Sequence, residues 1–133
     1  MLVVLAMAAG VVSVSLARRS DRMEISALAG AAAGRARAAR DAAVRSGRDA
    51  VLLIDLKDRT ISTNGARVLP MPKDIDIDVF SSANERASAT AIGIRFFPDG
   101  ASTGGTIRLG HEGSFYEVRI NWFTGRVLVV APP

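Results

Sequence analysis

The chain contains no cysteine, a single histidine and little aromatic area. Without cysteine there is no disulfide framework, no thiolate nucleophile and no cysteine-held metal. Aromatic residues make up 5% of the 133 residues while alanine is abundant, so the core must be thin. No proline occurs before Pro70, and the first third of the chain therefore lacks the residue that most strongly breaks a helix. The length allows one modest domain plus one extended element and excludes a pair of enzyme domains.

The net charge of +4 is unevenly spread. Up to Arg48, eight arginines (Arg18, Arg19, Arg22, Arg35, Arg37, Arg40, Arg45, Arg48) stand against Asp21, Glu24 and Asp41, which leaves +5. Nine basic against ten acidic residues then leave −1 on the remainder. A basic arm precedes a near-neutral body.

From Met1 to Ala17 no residue is charged, and Leu2, Val3, Val4, Leu5, Met7, Val11, Val12, Val14 and Leu16 make the run as apolar as a membrane segment. Seventeen residues at about 1.5 Å each reach roughly 26 Å, just short of the roughly 30 Å hydrocarbon layer. A membrane anchor is the first expectation. A cleaved signal peptide, for which Ser15-Leu16-Ala17 offers small residues, and a buried core helix are the alternatives. Arg18, Arg19 and Arg22 follow the run instead of preceding it, which alone would hold the body in the cytoplasm. A basic leader ahead of Met1 would reverse that orientation.

Good helix formers dominate from Met1 to Arg45, and Ile25, Leu28, Ala32, Ala36, Ala39 and Ala43 recur at spacings of three and four. The spacing predicts one continuous helix with a single apolar stripe, stopped at Ser46-Gly47. At about 45 residues it would run on the order of 68 Å, far beyond a small domain. After Asp49 the period switches to two. Strands are expected over Ala50 to Leu56, Arg59 to Thr63, Ala66 to Leu69, Ile75 to Phe80, Ala91 to Phe97, Thr106 to Leu109, Ser114 to Asn121 and Arg126 to Val130. Asn64-Gly65 and Thr124-Gly125 are turn signals that close hairpins. The fold class is α+β: a long N-terminal helix, 1–47, as anchor and stalk, packed on an antiparallel β-sheet or β-sandwich head, 48–133.

The residues that could carry chemistry do not assemble into a reactive pattern. Asp74, Asp76, Asp78 and Glu85 fall at calcium-loop offsets, but Val79 occupies the position that needs glycine, so a solvated strand face is the better reading. The glycines between Asp99 and Thr106 precede a strand, not the Gly-Lys-Ser/Thr and helix of a phosphate loop. Ser102 and Thr103 have only His111 as a base, and His111 falls at an expected hairpin tip. No catalytic residue, cofactor or metal is expected. The arginines from Arg35 to Arg48 lack interleaved aromatics, so a solvated face, or one pairing with acidic groups of neighbouring subunits, is preferred to acidic headgroups or DNA.

Two stretches are more specific than anything above. Gly93-Ile94-Arg95-Phe96-Phe97-Pro98-Asp99-Gly100-Ala101-Ser102-Thr103-Gly104-Gly105-Thr106-Ile107 and Val118-Arg119-Ile120-Asn121-Trp122-Phe123-Thr124-Gly125-Arg126-Val127 together resemble the C-terminal signature of the type II secretion pseudopilin H and FimT-like family. The signature positions are Phe97, Pro98, Asp99, Gly100, Ser102, Thr103, Gly104, Gly105, Asn121, Trp122, Thr124, Gly125 and Arg126. The N-terminal apolar run is similar to the middle of a type IV pilin helix. The resemblance implies a non-enzymatic inner-membrane subunit with a periplasmic head. Its helix would pack beside those of other pseudopilins near the tip of a short filament that pushes folded proteins through the outer membrane. Ala8, Ala9, Gly10, Ser13 and Ser15 suit such close packing. The alternative is a FimT-like minor pilin that binds DNA for uptake; only that reading brings in nucleic acid, and neither brings a small-molecule substrate. Family members carry a basic leader ending in glycine, cut by prepilin peptidase, and then an N-methylated Phe-Thr-Leu-Ile-Glu. We expect that segment just upstream of Met1, through a misplaced start codon in preference to a defective copy.

Overall fold

A computed structural model describes residues 2–63, 66–81 and 90–133, with side chains over residues 23–63, 68–81 and 90–133. Helix α1 runs Leu2–Ser46, 45 residues without a break. It stops where the sequence asks it to: Gly47 takes φ 68° and its N–H donates to the Ala43 carbonyl at 3.1 Å, the left-handed cap that only glycine adopts without strain. The stripe is real and wider than the spacing suggested. Ile25, Ala29, Ala32, Ala33, Ala36, Ala39 and Ala43 are all buried, with Leu28 half-buried beside them. The opposite face is exposed at Met23, Gly30, Gly34 and Val44.

Among the described residues eight strands follow: β1 Ala50–Asp55, β2 Thr60–Thr63, β3 Ala66–Pro70, β4 Asp76–Phe80, β5 Ala91–Phe96, β6 Gly105–His111, β7 Ser114–Ile120 and β8 Val127–Val130. They form two four-stranded antiparallel sheets, in the orders β3-β2-β1-β5 and β4-β6-β7-β8. Alternation puts Ala50, Leu52 and Ile54 of β1 inward, in register with Phe96, Ile94 and Ile92 of β5; Phe96 and Ile94 are buried. In the second sheet Ile107, Leu109, Val118, Ile120 and Val127 face the same core. The alanine face of α1 lies against strands of both sheets, because methyl side chains let backbone approach backbone closely.

The structure adjusts several expectations. β6 extends to His111 because it pairs with Ser114 across a two-residue turn in which Glu112 and Gly113 both have positive φ. His111 therefore ends a strand instead of forming the hairpin tip, and its Nδ1 lies 3.0 Å from the Asp74 carbonyl oxygen. Asp76 and Asp78 point to solvent between the half-buried Ile77 and Val79, as a strand face requires; Glu85 lies outside the described residues. The Asn64-Gly65 turn also lies outside them, but Thr63 and Ala66 on either side are paired. Arg59, at φ 54°, donates from its guanidinium to the Pro72 carbonyl at 2.8 Å and to that of Ile75, tying the turn before β2 to the link between the sheets. Among the described residues no helix is long and apolar enough to cross a membrane. The side chains of Leu2, Val3, Val4, Leu5, Met7, Val11, Val12, Val14 and Leu16 lie outside the described residues.

Candidate functional site

The two signature stretches are brought into one junction. Pro98 opens a turn in which the Gly100 N–H donates to the Phe97 carbonyl at 2.9 Å, and Asp99 Oδ1 accepts from the Ala101 N–H at 2.9 Å. Beyond it the chain is laced back onto β5. The Thr103 N–H donates to the Arg95 carbonyl at 2.9 Å, and the Arg95 N–H to Thr103 Oγ1 at 3.0 Å. On its other side the Ser102 N–H donates to the Trp122 carbonyl at 2.9 Å, which couples the loop to the β7–β8 connection.

That connection is organised by Asn121. Its Oδ1 accepts from the N–H groups of Phe123 at 2.9 Å and Thr124 at 3.0 Å, and its carbonyl accepts from Gly125 N–H at 2.8 Å. The two loops touch where there is no room for a side chain. A Cβ on Gly125 would meet the Gly100 carbonyl oxygen at 1.9 Å, and one on Gly104 would meet the Trp122 Cβ at 2.9 Å. Glycine at these positions is a demand of close approach, reinforced at Gly125 by φ 69° and at Gly104 by φ 76°.

The helix arginines complete the junction. Arg40 Nε donates to the carbonyls of Gly100 and Thr124, each at 3.3 Å, and Arg37 Nη2 donates to the Val127 carbonyl at 3.0 Å. A purely solvated arginine face does not describe these two side chains: they pin the loops to α1. Arg45 turns back on its own helix, donating to the Asp41 carbonyl at 3.3 Å. Charged donors to backbone carbonyls contribute about 1.5–3 kcal/mol when shielded, and both Arg40 bonds are long and partly wet. Arg40→Ala is accordingly expected to lower unfolding stability by about 1 kcal/mol, read as a shift in urea midpoint. A shift equal to that of the exposed control Arg48→Ala would remove Arg40 from the junction.

The signature thus divides into two roles. Gly100, Ser102, Gly104 and Gly125 are buried and hold the loops together, with Phe97, Thr103 and Gly105 half-buried beside them. Pro98, Asp99, Asn121, Trp122, Thr124 and Arg126 are exposed. Trp122 is 66% exposed and Phe123 72%, stacked edge to face at 5.5 Å. Beside them opens a cleft of about 1000 Å³ over the outer face of the second sheet, reaching from Phe80 to Leu128. Among the described residues no nucleophile and base converge there. Ser102 Oγ accepts from the Gly104 N–H at 3.0 Å, and His111 stands at the other end of β6, about 20 Å away by strand rise.

A long helix, half embedded in its own β head, with the head's loops locked onto that helix, defines a pilin-like subunit. A family model for the type II transport protein GspH matches residues 28–125, which include most of the embedded half of α1, the first signature stretch and the second as far as Gly125. The chain belongs to that family. It is 28% identical over 123 residues to the type II secretion system protein H of Xanthomonas campestris, covering 92% of this chain and 73% of that protein. Among solved structures, the minor pseudopilin EpsH of the Vibrio cholerae type 2 secretion system superposes with a TM-score of 0.67 at 16% identity, covering 84% of this chain and 96% of that one. The Pseudomonas aeruginosa type IV minor pilin FimU has the same fold, with a TM-score of 0.58 at 16% identity over 86% of this chain and 92% of its own.

Proposed function

We propose that the chain is a minor pseudopilin of a type II secretion system, a structural subunit of the periplasmic filament that drives folded proteins across the outer membrane. The observation that carries this reading is the family match from Leu28 to Gly125, over most of the embedded helix and most of the signature, joined to the geometry of α1. One face of the helix is covered by its own head from Ile25 to Ala43, and the face at Met23, Gly30, Gly34 and Val44 is left open to neighbouring helices. Residues 1–47 serve as inner-membrane anchor and stalk, residues 48–133 as the periplasmic head, and the partners are the other pseudopilins. The role is mechanical and needs no cofactor. Deleting the gene in its own bacterium is expected to stop the appearance of folded exoenzymes in the medium, and the full chain supplied in trans to restore it. Undiminished secretion after deletion would reject the proposal.

A second reading, a FimT-like minor subunit of a type IV pilus that contacts DNA, draws on the exposed Trp122 and Phe123 beside Arg126. It requires salt-sensitive DNA binding and a deletion that impairs DNA uptake while leaving secretion intact.

A further inference from the structure

The outer face of the second sheet carries one cross-strand row that differs from its neighbour. Register places Phe80 opposite Thr106, Thr106 opposite Arg119, and Arg119 opposite Leu128, so a single line of side chains crosses all four strands. Two residues along, the parallel line Asp78, Arg108, Glu117 and Val130 carries one basic and two acidic side chains, with Arg108 Nε 3.7 Å from Glu117 Oε1 and its guanidinium 4.3 Å over the Phe115 ring. The first line has apolar ends: Phe80 is 57% exposed and Leu128 53%. Trp122 stands over its edge on a turn held by hydrogen bonds to the Asn121 side chain and carbonyl and from the Ser102 N–H. Exposed apolar side chains gathered in a rigid concavity mark an interaction surface more often than scattered ones do.

The charge of this groove names its complement. Arg119 and Arg126 line it and no carboxylate does, among the described residues. Arg119 is ion-paired sideways to Glu117 at 2.7 Å, whereas Arg126 is exposed with no ion pair among the described residues. One free guanidinium between an indole and a leucine suits a single carboxylate flanked by apolar side chains. It suits a polyanion poorly, since phosphate binding draws on several unpaired cations and Arg119 is already paired to Glu117. A subunit built on the same plan presents such a segment: here the edge strand β4 exposes Asp76 and Asp78 between the half-buried Ile77 and Val79. Subunits held side by side by their helices meet at high effective concentration, so a modest groove suffices.

Resting on the pseudopilin reading above, we propose that this groove, formed by Phe80, Trp122, Arg126 and Leu128, docks the head of an adjacent filament subunit through a segment in which a carboxylate lies beside apolar side chains. α1 covers the inner faces of the sheets, so this contact is separate from helix bundling and adds a lateral link between heads.

The test is site-specific photo-crosslinking of the full chain in its own bacterium, with the photoreactive residue at position 128 and, in a second strain, at the exposed helix position 23. The expected product at 128 is a crosslink to another subunit's head, mapped by mass spectrometry to a segment with Asp or Glu beside apolar residues. Arg126→Glu is expected to lower its yield roughly tenfold, the effect of about 1.4 kcal/mol, while the crosslink at 23 persists. Reversing the mapped carboxylate to arginine in that variant should restore it. A product at 128 with a secreted protein or with DNA, or none while 23 still links, overturns the groove assignment alone. Silence at both positions overturns the filament reading and the groove with it.

Discussion

Gly125→Ala is expected to destabilise the chain by about 4 kcal/mol, a large share of the 5–15 kcal/mol that holds a typical domain. Two separate effects add. A residue other than glycine held at φ 69° is strained by about 1–3 kcal/mol. The new methyl group would also sit 1.9 Å from the Gly100 carbonyl oxygen and 3.0 Å from Arg40 Nε, so the loops must part, at an overpacking cost of about 1–3 kcal/mol. Gly113→Ala separates the two, because Gly113 has φ 81° with open space around it. It should lose only about 1 kcal/mol. The sole tryptophan, Trp122, lies in the affected junction, so its fluorescence during urea unfolding reports both variants. Equal midpoints for the two would mean that the loops are not interlocked.

Ala36→Phe is expected to be the most damaging change on the helix. Ala36 has no exposed surface and lies in the middle of the face pressed against both sheets. A ring there must lift α1 from the head, a penalty on the order of 3 kcal/mol. The contrasting substitution is Gly34→Ala, two residues away on the open face, where a Cβ meets nothing within 4 Å. Helix propensity alone should make it stabilising by up to about 1 kcal/mol. Thermal melts of the two variants should therefore move in opposite directions. If Ala36→Phe melts at the parent temperature, the helix is not packed as described.

Much of this architecture is written in local patterns. Gly47 ends the helix because glycine takes the left-handed conformation at least cost, and the period-two alternation from Ala50 locates β1 to within a residue. The order of a helix followed by strands, and the two signature stretches, are likewise readable without coordinates. The separation of the strands into two sheets is not, since pairing partners such as β1 and β5 are joined by no short turn. Nor are the roles of Arg37 and Arg40. They meet carbonyls 60 to 90 residues further along the chain, and nothing in composition separates them from the exposed Arg45 and Arg48. Their positions three apart, flanking the Ala36 and Ala39 stripe, would be the one hint. The tenancy of the signature glycines was visible as a motif, but its physical reason, backbone meeting backbone between two distant loops, appears only in three dimensions.

The embedded half of α1 has a mechanical corollary. From Ile25 to Ala43 the buried face extends about 27 Å along the axis, with Arg37 and Arg40 crossing from helix to head as transverse pins. A thrust along the helix loads this seam in shear, so all of its contacts must slip at once. A sideways tug on α1 ahead of Ile25 would instead peel them apart turn by turn. Such a seam is stiff in one direction and yielding in the other, as a piston rod fixed in its crosshead must be.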